Sequence, residues 1–515
     1  MVCDKNTGKD SIRKRYIYKL STNFVGAFIG SLAMVIIPRS LGSKVYGDIN
    51  FLISFFNELI TFLDTGTSTG FYTKLSQRQK ESEMVIFYFY FMAVVGTVLT
   101  LFILIACITP VYTVLWPGQE VKFIVLAGIW GILTWTAQIL NKLADAYGLT
   151  SASERVKIIQ KVIGLAAITI LYFFSAVTAW SFFCYNYLIL FFSSIAFLML
   201  LKGYIPFSKK NWILTLQQIK KYTREFYQYS HPLFSYSLVG LLVGLGDRWL
   251  LQSFSGSTEQ GFYGLAYQIS AVCIIFSSAI IPLLNREFAI ASFNKDASGM
   301  ISLFRNYVPV LYSTSVLISC FIATQADMLI YIIGGAKFKD AGPAVTIMAV
   351  FPIMQTHAQM TATFFYATDR THLYRNIGIF FMLLGLPVTY FLIAPTDYFG
   401  LHAGATGLAV KMLVLSFFPT NVRLFFITKY LGLSFGKYLL HQFVCTGAFW
   451  GIGSLSTVIT DRLLTSVSPV IRFLFTGILY ILQSVVLIYC FPEIVGLNRQ
   501  RVNVLAKHAF VWIRK

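Results

Sequence analysis

Two charged residues stand next to each other inside an apolar stretch of this sequence. The segment LLVGLGDRWLLQ, residues 241–252, places Asp247 beside Arg248 within a run that extends from Pro232 to Phe254. A charged side chain at the centre of a bilayer costs about 2.5–3.5 kcal/mol on insertion scales, so an idle pair should not persist there. An arginine in such a place can bind an anion, and an aspartate can bind a cation or a proton.

The helical positions of the two residues leave their roles open. Arg248 shares a helix face with Gly244 and Gln252, whereas Asp247 projects about 100° away and need not pair with its neighbour. Arg248 either faces a cavity or extends its guanidinium to the membrane interface. Asp247 either serves the same cavity or forms a structural ion pair elsewhere.

A second candidate feature is a polar stripe on the apolar segment 49–71. Its members recur every three or four residues, the spacing that keeps side chains on one face of a helix; they are Asn50, Ser54, Asn57, Thr61, Asp64 and Ser68. Glu58 borders the stripe, so two carboxylates stand at membrane depth. A water-filled cavity accounts for both acids, and a polar seam buried between helices is the alternative.

Lys411 is the third candidate. It lies about ten residues into an apolar segment, roughly 15 Å from either surface at the rise of a helix, which is too deep for the amine to reach water by extension. Gly404 and Gly407 share its face and leave room for a substrate or another helix. The amine needs an anion, which is either a carboxylate such as Glu58 or Asp64 in a fixed ion pair, or a group of the substrate.

The elements that carry these residues are transmembrane helices. The 515 residues are 57% apolar and 12% charged, whereas soluble proteins carry about 25% charged residues. We predict an all-α polytopic membrane protein with about 14 helices, each long enough to cross a hydrocarbon core of about 30 Å. The predicted spans are 20–37, 49–71, 84–109, 123–141, 158–174, 182–201, 229–254, 262–285, 306–333, 343–366, 374–394, 401–422, 438–459 and 473–491.

The distribution of basic residues predicts the orientation of these spans. With a cytoplasmic amino terminus, the inner segments hold 32 of the 41 Lys and Arg residues and the outer loops hold 7. This asymmetry predicts that both termini are cytoplasmic, in the cell (inner) membrane. The net charge of +20 is then mostly a matter of topology, and the short loops can build no nucleic-acid-binding face.

Several features recur at a nearly constant offset along the chain. They are Tyr46-Gly47 with Tyr263-Gly264, Gly118 with Gly335, Gln138 with Gln355, Tyr147 with Tyr366, and Gly164 with Gly378. Together they predict that helices 1–6 and 7–12 are parallel copies of one unit, an arrangement found in secondary transporters, with a central cavity between them. The predicted division is an amino-terminal lobe at 1–201, a cytoplasmic linker at 202–228, a second lobe at 229–437, and two extra helices with a basic tail at 438–515.

Other chemistry has little support in the sequence. The seven cysteines are scattered without metal-ligand spacing, and no G-x-S-x-G, H-E-x-x-H or Walker A sequence occurs. We therefore expect no catalytic residues, no metal site and no resident cofactor.

Four motifs of the chain resemble those of the Wzx-type polysaccharide flippases of the multidrug/oligosaccharidyl-lipid/polysaccharide (MOP) exporter superfamily. They are SLGSKVYGDINFLISFF after the first span, FLDTGTSTGFYTKLSQ at the end of the second, Asp247-Arg248 followed by GSTEQGFYGLAYQIS, and LHAGATGLAVK in the twelfth span. The resemblance covers nearly the whole chain, although each motif is loose.

The resemblance implies a two-lobed carrier that moves a polyprenyl-pyrophosphate-linked oligosaccharide, a repeat unit of O-antigen, capsule or exopolysaccharide, to the outer leaflet. Arg248 takes a pyrophosphate-binding role by its position, whereas Lys411 matches no family signature and is assigned by depth and charge. H⁺ or Na⁺ coupling could use Glu58, Asp64 or Asp247. Partners would be the glycan lipid, the bilayer and other polysaccharide-assembly membrane proteins. The alternatives are a drug or cation antiporter of the same superfamily and a membrane-embedded glycan polymerase or ligase.

Overall fold

The described part of the chain is helical throughout its regular structure. The computed structural model describes residues 12–64, 66–205, 214–368, 370–465 and 467–500, and no strand occurs among them. The basic ends predicted to be cytoplasmic, 1–11 and 501–515, lie outside these ranges. The helices are α1 (Ile12–Asp64), α2 (Thr67–Gln77), α3 (Ser82–Ile108), α4 (Val111–Leu115), α5 (Val121–Ala146), α6 (Thr150–Phe173), α7 (Ala179–Leu201), α8 (Leu216–Cys273), α9 (Ile275–Phe293), α10 (Ala297–Thr324), α11 (Ala326–Ile333), α12 (Gly342–Ala367), α13 (Thr371–Ile393), α14 (Gly404–Leu431), α15 (Phe435–Leu463) and α16 (Pro469–Cys490).

Ten of the described helices are long and apolar enough to cross a membrane. Their lengths follow from the need to satisfy every backbone N–H and C=O inside the hydrocarbon, which a continuous helix does by itself. The predicted all-α polytopic class is confirmed, and the chain is a multi-pass membrane protein. The count of fourteen spans stays a prediction.

Three glycines set the helix boundaries differently from the predicted ones. Gly42 has φ 76° inside α1 and Gly256 has φ 81° inside α8. Each lets two predicted spans follow one another through a kink, where the sequence predicted a loop. Gly66, with φ 75°, breaks the predicted span 49–71, so that α1 ends at Asp64 and α2 begins at Thr67. A residue with a Cβ adopts this left-handed backbone at a cost, which is why glycine stands at each break.

The described chain forms two compact units, Met1–Gly261 and Phe262–Lys515. In the first unit, α1 packs on α5 and α6, and α5 packs on α7. In the second unit, α12 packs on α9, α10 and α14, and α15 packs on α10 and α16. The boundary after Gly261 differs from the predicted division at 201 and 229. The compact units are not the predicted repeats. The division of the chain into two repeated lobes therefore stays a prediction.

The order of elements supports the duplication. A long helix, a short helix, a glycine with positive φ and another long helix follow one another as α3, α4, Gly118 and α5, and again as α10, α11, Gly335 and α12. The two glycines, with φ 74° and 70°, are one of the pairs that the sequence comparison matched. The kinks at Gly42 and Gly256 form a further pair of corresponding features, one that the sequence comparison did not match.

The two kinked helices of the first unit touch through their backbones at Gly47. A Cβ on Gly47 would lie 1.7 Å from the carbonyl oxygen of Ser257, and a Cβ on Gly261 would lie 2.1 Å from that of Ser43. Only glycine permits this distance, as at other close crossings of membrane helices. The crossing fixes the segment after the Gly256 kink against α1.

We expect Gly47→Ala to destabilise the protein by about 3 kcal/mol or more, because the backbone atoms that the new methyl group meets cannot rotate away. Gly240→Ala is the matched control, since a Cβ there meets nothing within 4 Å. It should be neutral or stabilise by up to about 1 kcal/mol. Thermal unfolding of the two purified variants in detergent measures the difference, and equal midpoints would contradict the close crossing.

A group of charged residues joins α2 and the start of α3 to the first turns of α8. Lys74 donates to Glu225 at 2.7 Å, Arg78 also donates to Glu225, and Lys221 lies 3.6 Å from Glu81. Glu225 lies in the predicted cytoplasmic segment. Burial by itself would raise the pKa of Glu225. Hydrogen bonds from Lys74 and Arg78 outweigh this effect and hold the pKa below its ordinary value of 4.5.

A carboxylate with a depressed pKa stabilises the folded state fully above its unfolded pKa, and this stabilisation is lost as the pH falls through the folded pKa. We expect Glu225 to contribute on the order of 1 kcal/mol at pH 7 and to lose this contribution below about pH 4.5. Unfolding of the wild type and of Glu225→Gln should differ at pH 7 and converge in acid. A difference that is constant with pH would contradict the ionic role.

Candidate functional site

The carboxylate of Glu58 lies against the backbone of α8 at Gly244. The position of a Cβ on Gly244 is 2.9 Å from the carboxyl carbon of Glu58 and 3.0 and 3.2 Å from its two oxygens. The missing side chain therefore creates the space that the carboxylate occupies. Glu58 is half-buried, which keeps one side of it accessible.

Arg248 follows Gly244 by one helical turn, so both residues lie on the same face of α8. Its Nη1 donates to Oε1 of Gln260 at 3.2 Å, and the Gln260 amide donates in return to the Arg248 carbonyl. Gln260 is fully buried and comes after the kink at Gly256. The kink thus returns the chain toward α8, and the reciprocal hydrogen bonds hold the arginine side chain in place.

Three further groups surround this pair. Arg248 attracts the Glu58 carboxylate and Asp247 repels it, so all three charges lie within range of one another. Tyr46, which is 3% exposed, is also within range of the Arg248 charge, and its carbonyl accepts from Asn50 at 2.8 Å. Asp247 is 8% exposed and makes its own contacts inside the protein. The site is therefore a mixed-charge cluster rather than a purely cationic one.

Other bonds attach the same part of α8 to α4 and to the turn that follows it. The indole of Trp249 donates to the Val114 carbonyl at 2.6 Å, and Gln252 donates to the Pro117 carbonyl at 3.2 Å. Gln252 was predicted to share the face of Arg248, and the structure uses it as an anchor. These bonds make the helix that carries Arg248 part of the first unit.

The polar stripe is only partly the continuous surface that the spacing predicted. Asn50 and Ser54 are half-buried, and Asn57 and Thr61 are exposed. Ser68 is separated from them by the break at Gly66 and is 3% exposed within α2. Its predicted place on the stripe is wrong, because the prediction assumed one unbroken helix.

Asp64 receives hydrogen bonds from four residues at this break. Ser68 donates its hydroxyl at 2.7 Å and its backbone N–H at 3.3 Å, and the side chains of Thr67, Tyr88 and Trp135 donate at 3.3, 3.2 and 3.2 Å. Lys142 donates to Ser68 at 2.5 Å. The carboxylate therefore caps α2 and connects it to α3 and α5, a use that competes with the predicted binding of an ion.

Lys411 lies in the second unit and is 4% exposed. Its Cε and Nζ are 3.3 and 3.5 Å from the Cβ position of Gly385 on α13. Leu392 of α13 fills the space beside Gly407 on the same face, since a Cβ on Gly407 would lie 3.0 Å from the carbonyl oxygen of Leu392. The predicted room beside Lys411 is therefore filled by another helix, and the amine makes its contacts within the protein.

Sequence reasoning missed Gly244, Gln260 and Tyr46 as parts of the site. Gln260 and Tyr46 stand inside the quoted segments GSTEQGFYG and SLGSKVYG, but nothing in the spacing indicates that a kink brings Gln260 to Arg248. The signal available in the sequence was a glutamine directly before Gly261, in a segment that was read as a loop. Gly244 could be read only as a small residue.

Several solved structures of transporters align with most of this chain. An inward-facing multidrug resistance MATE family transporter of the MOP superfamily aligns with a TM-score of 0.61 and 13% identity, covering 80% of this chain and 95% of that chain. The lipid II flippase MurJ, in an inward closed conformation, aligns with 0.63 and 12%, covering 92% and 98%. A MOP superfamily transporter from Pyrococcus furiosus aligns with 0.53 and 13%, covering 82% and 97%.

The class is thus defined by the fold, which is that of the MOP superfamily transporters. The sequence profile of the polysaccharide biosynthesis protein family matches residues 12–286, more than half of the chain, and the chain belongs to this family. The resemblance stated from the motifs is confirmed. No curated protein sequence matches the chain significantly.

We expect Asp64→Ala to destabilise the protein by about 2 kcal/mol, because it leaves the indole N–H of Trp135 without its acceptor and removes the cap of α2. Thr61→Ala, one turn earlier on the same helix, is the control. Its hydroxyl donates only to the Asn57 carbonyl of its own helix, and the change should be within about 0.5 kcal/mol of the wild type. Thermal unfolding measures both, and an Asp64→Ala protein as stable as the wild type would exclude the capping role.

Proposed function

We propose that the protein is a flippase that moves a polyprenyl-pyrophosphate-linked oligosaccharide from the cytoplasmic to the outer leaflet of the cell membrane. Membership of the polysaccharide biosynthesis protein family carries the proposal. The fold supports it, since a structural neighbour is itself a lipid II flippase. The substrate has a pyrophosphate and sugars that hydrocarbon rejects and a tail that lipid accepts, so it requires a polar passage that opens sideways to the bilayer.

Arg248 is the group that we assign to the pyrophosphate. A guanidinium can bind two phosphate oxygens at once, and the Gln260 hydrogen bonds orient it before the substrate arrives. Glu58 beside it would repel the pyrophosphate while ionised, so binding favours a state in which this carboxylate is protonated or moved away. Lys411 is the second cation in the proposal. Because α13 covers it, its use requires α13 and α14 to separate during the cycle.

The exposed side chains of Asn57 and Thr61 would line the wet part of the passage. Rocking of the two repeats would expose the passage to each side of the membrane in turn, as in other transporters built from parallel repeats. No step requires a covalent intermediate, and the protein would act as a carrier without catalytic residues.

Deletion of the gene should cause one lipid-linked glycan to accumulate on the cytoplasmic leaflet and the corresponding surface glycan to disappear. Complementation with Arg248→Ala should restore less than about a tenth of the transport, the loss expected when a charge-assisted hydrogen bond is removed. Arg286→Ala is the control, because Arg286 is exposed and pairs with Glu287 at 2.7 Å. Full complementation by Arg248→Ala would overturn its assignment while leaving the transport function intact.

Ion coupling is a further part of the proposal, and Glu58 is the group best placed for it. A proton on Glu58 would cancel its attraction for Arg248 and release the guanidinium for the substrate. Transport into sealed vesicles should depend on a proton gradient in the wild type and lose this dependence in Glu58→Gln. Equal transport with and without H⁺ and Na⁺ gradients would exclude coupling.

A drug or cation antiporter is the second candidate, and the Glu58 carboxylate beside Gly244 favours it. It predicts that Glu58→Gln abolishes the efflux of a cationic dye while the surface glycan is unchanged. The flippase predicts instead that Glu58→Gln leaves dye efflux unchanged and alters only the delivery of the surface glycan. Measuring both in the same cells separates the two functions.

A further inference from the structure

A cavity of about 910 Å³ lies in the second unit, apart from the residues around Arg248. It is bounded by α10, by α15 with the turn that precedes it, and by the 3-10 turn Pro492–Val495. Its charged lining consists of Arg305, Lys437 and Glu493. Nothing in the proposed transport mechanism uses this cavity.

The cavity opens at one end of the helices. Arg305, Lys437 and Glu493 come from three different segments, 286–305, 423–437 and 492–515, which the distribution of basic residues assigns to the cytoplasmic side. Helix packing brings these three segments to one place. The cavity is thus expected to lie at the cytoplasmic interface, where anionic lipid headgroups lie.

The polar groups of the lining suit an anion with oxygen acceptors. Arg305 and Lys437 are exposed and supply two positive charges against the one negative charge of Glu493. The hydroxyls of Ser434 and Tyr438 add neutral donors. A phosphate group can accept from several of these donors at once.

The same lining becomes apolar along α15. Lys437, Leu440, His441 and Val444 recur at the spacing of one helix face, which spans about 10 Å at the helical rise. Leu440 is 64% exposed and Val444 is 46% exposed, so this part of the cavity faces the bilayer. A charged end followed by an apolar flank is the profile of a phospholipid, in which a phosphate precedes the acyl chains.

We propose that this cavity binds an anionic phospholipid, with the phosphate between Arg305 and Lys437 and an acyl chain along Leu440 and Val444. The bound lipid connects α10 and α15 at the membrane interface, and it is distinct from the transported substrate and its site at Arg248. The proposal goes beyond the transport function and does not depend on it.

Binding is tested on the purified full-length protein in detergent by native mass spectrometry. The probes are short-chain phosphatidylglycerol, short-chain phosphatidylcholine and inorganic phosphate. We expect the protein to retain phosphatidylglycerol in preference to phosphatidylcholine. Inorganic phosphate should bind far more weakly, because it lacks the apolar contact with Leu440 and Val444. Retention of phosphate as strong as that of the lipid would overturn the assignment to a headgroup.

The charge of each lining residue predicts the direction of its effect. Arg305→Gln and Lys437→Gln should each weaken phosphatidylglycerol binding about fivefold, the effect of one basic residue at an anionic surface. Glu493→Gln should strengthen binding, because it removes the negative charge from the lining. Arg286→Gln, an exposed arginine outside the cavity, should leave binding unchanged.

Thermal unfolding without added lipid shows that each variant is folded, so that a loss of binding is not mistaken for a loss of structure. Wild-type binding by both Arg305→Gln and Lys437→Gln would overturn the proposal. An equal loss in Arg286→Gln would also overturn it, because the lipid would then be attracted by overall charge.

Discussion

The need to satisfy polar groups where no water is available governs the features of this protein that matter for function. Hydrocarbon offers no hydrogen bonds, so each helix break and each charge at membrane depth must find its partners within the chain. The break at Gly66 illustrates the rule, because Asp64 takes up donors from α2, α3 and α5 there. Arg248 illustrates it again, since Gln260 binds both its side chain and its carbonyl.

Glycine is the means by which partners come close enough. Gly47 and Gly261 let two backbones touch, and Gly244 lets a carboxylate lie on a helix. Glycine stands at these positions because a larger side chain would clash with the neighbouring atoms, not because glycine itself makes a favourable contact. The kinks at Gly42 and Gly256 place the contacts by redirecting long helices, and one kink falls in each of the two predicted repeats. A duplicated unit would inherit both kinks, which is consistent with the repeated order of the helices.

The charges in the two units are handled differently. In the first unit, Glu58, Asp247 and Arg248 form a mixed cluster in which Glu58 is half-buried and partly accessible. In the second unit, Lys411 is covered by α13, whereas Arg305 and Lys437 are exposed at the cavity that they line. The first arrangement suits a group that binds and releases a travelling anion. The second suits a lipid that stays bound.

The amino-acid sequence alone was enough to identify the class of the protein, because apolar composition is summed over hundreds of residues and is insensitive to local errors in the predicted spans. It also located Arg248, Glu58 and the glycine pair Gly118 and Gly335, since a charge in an apolar run and a recurring offset are visible without coordinates. The positions of the helix breaks and the contacts of each charge depend on how the folded chain packs. The sequence does not show which glycines adopt a left-handed backbone. It therefore could not predict that a break separates Ser68 from the polar stripe or that a kink places Gln260 beside Arg248. Lys411 was found by its depth, but whether a substrate or a helix fills the space beside it depends on packing between distant segments.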